Sequence, residues 1–289
     1  MKKLGGRYIV IMIAITLIFM PYIIGKPVTQ PHIGFHSHIE IHLDEDILAQ
    51  PIPIDQDVAV ECKIRYYTDV PEDFLWFLPG IIRNLILYWS ITPIQNIHLE
   101  VEESIDWLEI NFTRSDIVVE IPMGGEVVEE ETSLIIHLSE TALAVPVEFK
   151  VTASCSRKGL IQGVEATTVE TLTPEWIPCL RVDIDQPTIH MDPGSMVLLS
   201  INVSNESNGD TEVKTEIKEY DYQDYVFTSI EPETLQLDID EVGVFQLMIK
   251  ASSSISHIVT TIPIEFTPCH PSTMEEGEPI VVYVEVMIP

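Results

Sequence analysis

Basic residues are scarce in this chain. Its 289 residues carry 15 Lys and Arg against 46 Asp and Glu, a formal charge of -31. So acidic a surface cannot displace counterions from a phosphate backbone, which excludes nucleic-acid binding as a main function. The patterned motifs of catalysis are missing too. No G-x-S-x-G, H-E-x-x-H, P-loop or G-x-G-x-x-G occurs, so no nucleophile elbow, zincin helix or phosphate-cradling turn is offered. An enzyme is therefore not expected, and no small-molecule substrate is identified. Helix signals are few. Disorder is excluded in turn, because 46% hydrophobic residues can bury a core despite the charge. At about 150 residues per domain, the length suggests two domains.

The N-terminus is the most legible segment present. Lys2, Lys3 and Arg7 precede an uncharged apolar run over residues 8–24, YIVIMIAITLIFMPYII, which reads as an export signal. The best cleavage position follows Gly25, but Ile23 at -3 fits the small-residue preference poorly. The run is at the lower limit for a membrane span. A cleaved signal peptide and a retained signal-anchor over residues 1–25 both stay open. The location expected is extracellular or in the cell envelope, with any tether supplied by an uncleaved N-terminal helix.

Two features accord with export. Asn-x-Ser/Thr sequons at Asn111, Asn202 and Asn205 are candidate glycosylation sites, and the cysteines are even in number, at four. In VAVECKIRY, period-2 alternation puts Cys62 on the face of Val58, Val60 and Ile64. In VEFKVTASC it puts Cys155 with Val147, Phe149, Val151 and Ala153. Both thiols point into a core from an early and a late strand, as an inter-sheet disulfide between Cys62 and Cys155 would require. Two reduced core cysteines are the alternative. Cys179 and Cys269 each follow a proline at what read as domain ends, and their connectivity stays open.

Alternating strands punctuated by Pro, Asp, Asn and Gly run through the rest. The fold class expected is all-β, two immunoglobulin-like β-sandwich domains, the first carrying an apolar, helical insert. The divisions read as residues 26–178 for the first sandwich, 179–270 for the second, and 271–289 for a C-terminal strand that should pair with a sheet edge. Residues 150–174 match residues 249–268 as an internal repeat, with Cys155 aligned on Ser253.

Residues 192–213, DPGSMVLLSINVSNESNGDTEV, resemble the opening of the archaeal and bacterial surface immunoglobulin-like modules grouped as CARDB or NEW3. In those, Pro-Gly-Ser starts an alternating strand and Asn-x-x-Asn-Gly closes the turn. The resemblance is specific over about 75 residues of the second domain and loose over the first, which departs from it through the insert. It implies non-catalytic spacer and binding units in an envelope protein of an archaeon. It brings no catalytic residues.

Two stretches are candidates for function. Residues 74–94, FLWFLPGIIRNLILYWSITPI, are apolar on every side of a helix and must be covered by protein or lipid. Pro79, Gly80, Arg83 and Asn84 near the centre exclude a transmembrane helix. A cap over the sandwich end and an exposed patch are the choices left. In the second, Trp76, Phe77, Leu87, Tyr88 and Trp89 would meet a membrane surface or another envelope protein, with Arg83 for an anionic group. The other stretch is His36–Asp44. Alternation sets His36, His38, Glu40 and His42 on one strand face, where neighbouring imidazoles could share a Zn or Cu ion; the plain reading is a solvated edge strand. No cofactor beyond that possibility is implied. The function expected is a non-enzymatic envelope scaffold or interaction protein using the insert, with a metal-binding extracellular protein or a membrane-anchored accessory protein as the alternatives.

Overall fold

A computed structural model describes residues 34–289 of the chain. The candidate signal or anchor over residues 1–25 lies outside the described residues. The first sandwich contains β1 (Ser37–Leu43), the short helix α1 (Glu45–Leu48), β2 (Asp57–Thr68), helix α2 (Gly80–Tyr88), β3 (Ile94–Glu102), β4 (Leu108–Phe112), β5 (Asp116–Glu120), β6 (Val127–Leu138), β7 (Val147–Cys155) and β8 (Val164–Leu172). The second contains β9 (Leu180–Ile184), β10 (Thr188–His190), β11 (Met196–Asn205), β12 (Thr211–Ile217), β13 (Val226–Glu231), β14 (Thr234–Leu237), β15 (Val242–Ala251), β16 (Ile258–Cys269) and β17 (Ile280–Ile288). Among the described residues no helix is long and apolar enough to cross a membrane.

Period-2 alternation builds both cores. In β2, Val60, Cys62, Ile64 and Tyr66 point inward while Glu61, Lys63 and Arg65 point out, so one face is dry and the other wet. The inward faces of β1–β8 form one apolar cluster and those of β9–β17 another. The first sandwich layers β1-β2-β6-β4 on β5-β3-β7-β8; the second layers β9-β11-β15-β13 on β14-β12-β16-β17-β10. The two orders are the same topology. Exchanging β1, β2, β3 for β9, β11, β12, and β4 to β8 for β13 to β17, converts one into the other, an immunoglobulin-like arrangement. Even the crossing of the first strand recurs. β10 runs parallel to β17, and in the first sandwich Ile52 makes a parallel bridge to Pro174 just beyond β8.

This equivalence corrects the sequence repeat. Residues 150–174 span β7 and β8, which pair in one sheet, whereas residues 249–268 span β15 and β16, which lie in opposite sheets. The structural partner of β7 is β16, one strand later, so Cys155 does not answer to Ser253. Alternation is common to every strand and does not say which strand it marks. The C-terminal strand β17 lies inside a sheet, antiparallel to β16 and parallel to β10.

The expected Cys62–Cys155 disulfide is absent; all four cysteines are free, with Cys179 exposed. The reason lies along the strands, not across the sheets. Cys155 Sγ is 3.9 Å from Ser37 Oγ, and Ser37 pairs with Thr68, while Cys62 pairs with Leu43 at the other end of β1. Six residues of strand, about 20 Å, separate those two rungs, far beyond the Cα spacing a disulfide spans.

Candidate interaction surface

The connection between β2 and β3 runs over residues 69–93 and closes the end of the first sandwich at which the described chain begins. Pro79 starts α2, with its ring fixing an extended φ and its missing N–H at no cost there. Trp89 ends the helix in the left-handed region, φ +51°, a conformation costly for a bulky residue. Asn84 then donates to Ile91 O at 3.0 Å and folds the chain back toward β3.

The helix has two apolar sides with different fates. Leu87 and Tyr88 are buried in the first core; burial also raises the Tyr88 phenol above its ordinary pKa, partly offset by the Arg83 guanidinium. Leu87 and Tyr88 are therefore corrected: they point inward and do not belong to a contact face. The opposite side is in solvent. Trp76 is 75% exposed, Trp89 69% and Ile81 63%, with Phe77, Ile82, Leu85 and Ile91 also exposed. Residues 81, 85 and 89 follow a four-residue spacing, one stripe of a helix. Seven large apolar side chains at these exposures present several hundred Å² of patch, about what a soluble monomer rarely leaves bare without use.

The patch is tied to the sandwich by backbone hydrogen bonds and ring contacts. Leu160 N–H donates to Leu87 O at 2.7 Å, Phe35 N–H donates to Leu160 O at 3.0 Å, and the Phe35 and Phe74 rings meet edge-on at 4.9 Å. Gly159, at φ +60°, is required between β7 and β8, because a Cβ there would stand 2.2 Å from Leu87 O. Arg157 lies over the Trp89 ring, 5.9 Å from its centroid.

Charge is distributed unevenly around it. Most strand cations sit against carboxylates, such as Arg65 with Glu40 and Glu129 and Lys150 with Glu102, although Lys250 in β15 has no such partner among the described residues. Among the described residues Arg83, Arg157 and Lys158 form no such pair, and neither residues 74–94 nor residues 156–163 contain an Asp or Glu. Arg83 Nε is buried without a partner. Three cations without a carboxylate partner among the described residues therefore stand beside this apolar patch in a strongly acidic chain. Arg157 and Lys158 escaped sequence reasoning because they are some seventy residues from the insert; only the hairpin geometry unites them.

The histidine row is a strand face, but its members are engaged separately. His36 Nδ1 lies 3.0 Å from Asp69 Oδ2, His38 stacks on Tyr67, Glu40 accepts from Arg65 and from the Tyr67 hydroxyl, and His42 Nε2 is 3.6 Å from Glu40 Oε2. Among the described residues no three His, Cys, Asp or Glu side chains converge as a metal site. Of the sequons, Asn111 is exposed and Asn202 half-buried. Asn205 is fully buried, its amide within 3.2 Å of Gly209 O, Leu237 O and Asp238 O. That nitrogen closes the turn and is unavailable to a glycan, which corrects the third sequon.

The equivalent connection of the second sandwich, residues 206–210, is short and polar, and it grips the first sandwich. Asn208 Nδ2 donates to Ala142 O at 3.1 Å and Glu175 O at 2.9 Å, its Oδ1 accepts from Ile177 N–H at 2.7 Å, and its carbonyl accepts from Ala144 N–H at 2.8 Å. Gly209 allows the approach, since a Cβ would stand 3.0 Å from Ala144 Cβ and 3.2 Å from Trp176 Cδ1.

No family model matches the chain. No curated protein matches it either. Among solved structures, domains 4 and 5 of the S-layer protein SbsC align at 16% identity over 50% of this chain and 66% of theirs, TM-score 0.27. The E. coli chaperone DraB aligns at 11% identity over 38% of this chain and 54% of its own, TM-score 0.29. A protein of unknown function from Porphyromonas gingivalis W83 aligns at 6% over 86% and 98%, TM-score 0.27. Likenesses at these scores carry no argument; the sandwich assignment rests on strand order and register.

Proposed function

We propose that this chain is an exported, envelope-associated, non-enzymatic scaffold or interaction protein that docks through the β2–β3 insert. The observation that carries the reading is the outward exposure of Trp76, Ile81, Leu85 and Trp89 on and beside a helix whose other side is buried in the first core. Burying it against a partner would recover hydrophobic free energy at little ordering cost, because the backbone beneath it is already fixed. The apolar run over residues 8–24 supports export, and the likeness of residues 192–213 to CARDB and NEW3 modules fits a spacer role for the second sandwich. Photo-crosslinking from position 77 in native cells tests this. Envelope-bound adducts that vanish in a Trp76→Ser/Trp89→Ser variant are expected; full-length protein in the cytosol, or adducts indifferent to the variant, would overturn it.

A further inference from the structure

We infer that the occupant of this surface is the headgroup and upper acyl region of an anionic membrane, with α2 lying along the interface. The inference rests on the contact role proposed above and names its partner. Three independent observations converge on lipid.

The first is chemical composition. Tryptophans at both ends of the insert, aliphatic residues between them and cations alongside are what an interfacial segment requires, because indole rings settle at headgroup level and guanidinium groups meet phosphate. Trp76 and Trp89 bracket Ile81, Ile82 and Leu85, and Arg83, Arg157 and Lys158 flank them without carboxylate partners among the described residues. The acids nearest the insert in sequence are Asp69, held by His36, and Glu72 and Asp73 at its entry.

The second is where the chain leads. Phe35 is sewn to this same end through Leu160 and Phe74. Between Ile24, the last residue of the apolar run, and Gly34 lie nine residues. Fully extended they reach about 30 Å. If the run is retained in a bilayer, the insert is held within that distance of the membrane surface, at high effective concentration. A diffusing protein partner gains no such advantage.

The third is the field of the whole molecule. With a net charge of -31, the remaining surface is repelled by anionic headgroups. The insert end, free of acid over residues 74–94 and 156–163, is the approach that repulsion leaves open.

The test uses the full-length chain reconstituted in phosphatidylcholine–phosphatidylglycerol vesicles, with and without brominated acyl chains, read by tryptophan fluorescence. Bromolipid quenching is expected in the wild type and should be abolished in Trp76→Phe/Trp89→Phe. The two remaining tryptophans stand elsewhere: Trp107 lies by the β6–β7 loop and Trp176 is buried by the second sandwich. Arg83→Gln/Arg157→Gln/Lys158→Gln should lower the quenching at least twofold, and phosphatidylcholine alone should do the same to the wild type. Trp76 and Trp89 left unquenched in vesicles but shielded from iodide in native envelopes would overturn lipid in favour of a protein and leave the contact role intact. Free access of iodide in both settings would overturn the two readings together.

Discussion

The two sandwiches share a topology and differ most at one place, the connection that follows their second strand. In the second it is residues 206–210, a polar turn whose Asn208 is spent on the first sandwich. In the first it is residues 69–93, with α2 buried on one side and bare on the other. The same corner of the fold is thus a docking point twice. One copy has its partner within the chain, through hydrogen bonds that join the Asn208 carboxamide and carbonyl to backbone groups of the first sandwich. The other offers apolar surface and cations, the chemistry of a partner outside it.

The sharpest way to break that comparison is to truncate the insert from within. If residues 69–93 are both a plug and a contact face, Leu87→Ala should destabilise the first sandwich by about 2–5 kcal/mol, and chemical denaturation should show it unfolding ahead of the second. Next comes alkali. Burial pushes the Cys62 thiol from 9.0 up to about 12, so the folded state keeps its proton where the unfolded chain has lost it. This contribution is intact below about pH 9 and disappears as pH rises toward 12, at up to about 1.4 kcal/mol per pH unit. Thermal melts across that window should lower the first transition, and Cys62→Ala should flatten the dependence.

A smaller effect is expected at the joint. Asn208→Ala strands the Ile177 N–H and two carbonyls, a loss of about 1–3 kcal/mol, read as separation of two melting transitions or as new proteolysis at residues 173–179. Smallest of all is Trp76→Ser with Trp89→Ser. Both side chains stand in solvent, so stability should move by about 0.5 kcal/mol or less while envelope contact is lost. A large destabilisation there would make the insert a cap and end the comparison.

Alternation made the all-β sandwich class legible and put the inward faces of β2 and β7 where they are observed. It failed where its information ends. Period 2 gives the face of a residue but not its height on the sheet, so it aligned Cys62 and Cys155 across a core that separates them lengthwise. It is also the same in every strand, so the repeat was matched one strand early. β10, three residues long, is too short to show a period at all. The insert was conspicuous in composition, yet a helix apolar all round carries no sign of which side turns inward. Leu87 and Tyr88 were sorted from Trp76 and Trp89 only by their burial in the first core beside the loop joining β7 and β8. Asn208 was legible as a turn residue and illegible as a joint, because its partners Ala142 and Glu175 are remote in sequence.

Asn208 is followed by Gly209, the neighbour that hinders least the attack of its own backbone nitrogen on an asparagine carboxamide, the reaction by which such residues slowly turn acidic. Here the carboxamide is pinned by three hydrogen bonds and cannot swing onto that nitrogen. The contact between modules thereby guards the most perishable dipeptide in its own latch, and a carboxylate formed there would face the carbonyls of Ala142 and Glu175 and prevent re-engagement. Ageing of this molecule should be a ratchet: peptide mass spectrometry of protein stored warm is expected to find acid at residue 208 in proportion to the time its two halves have spent apart.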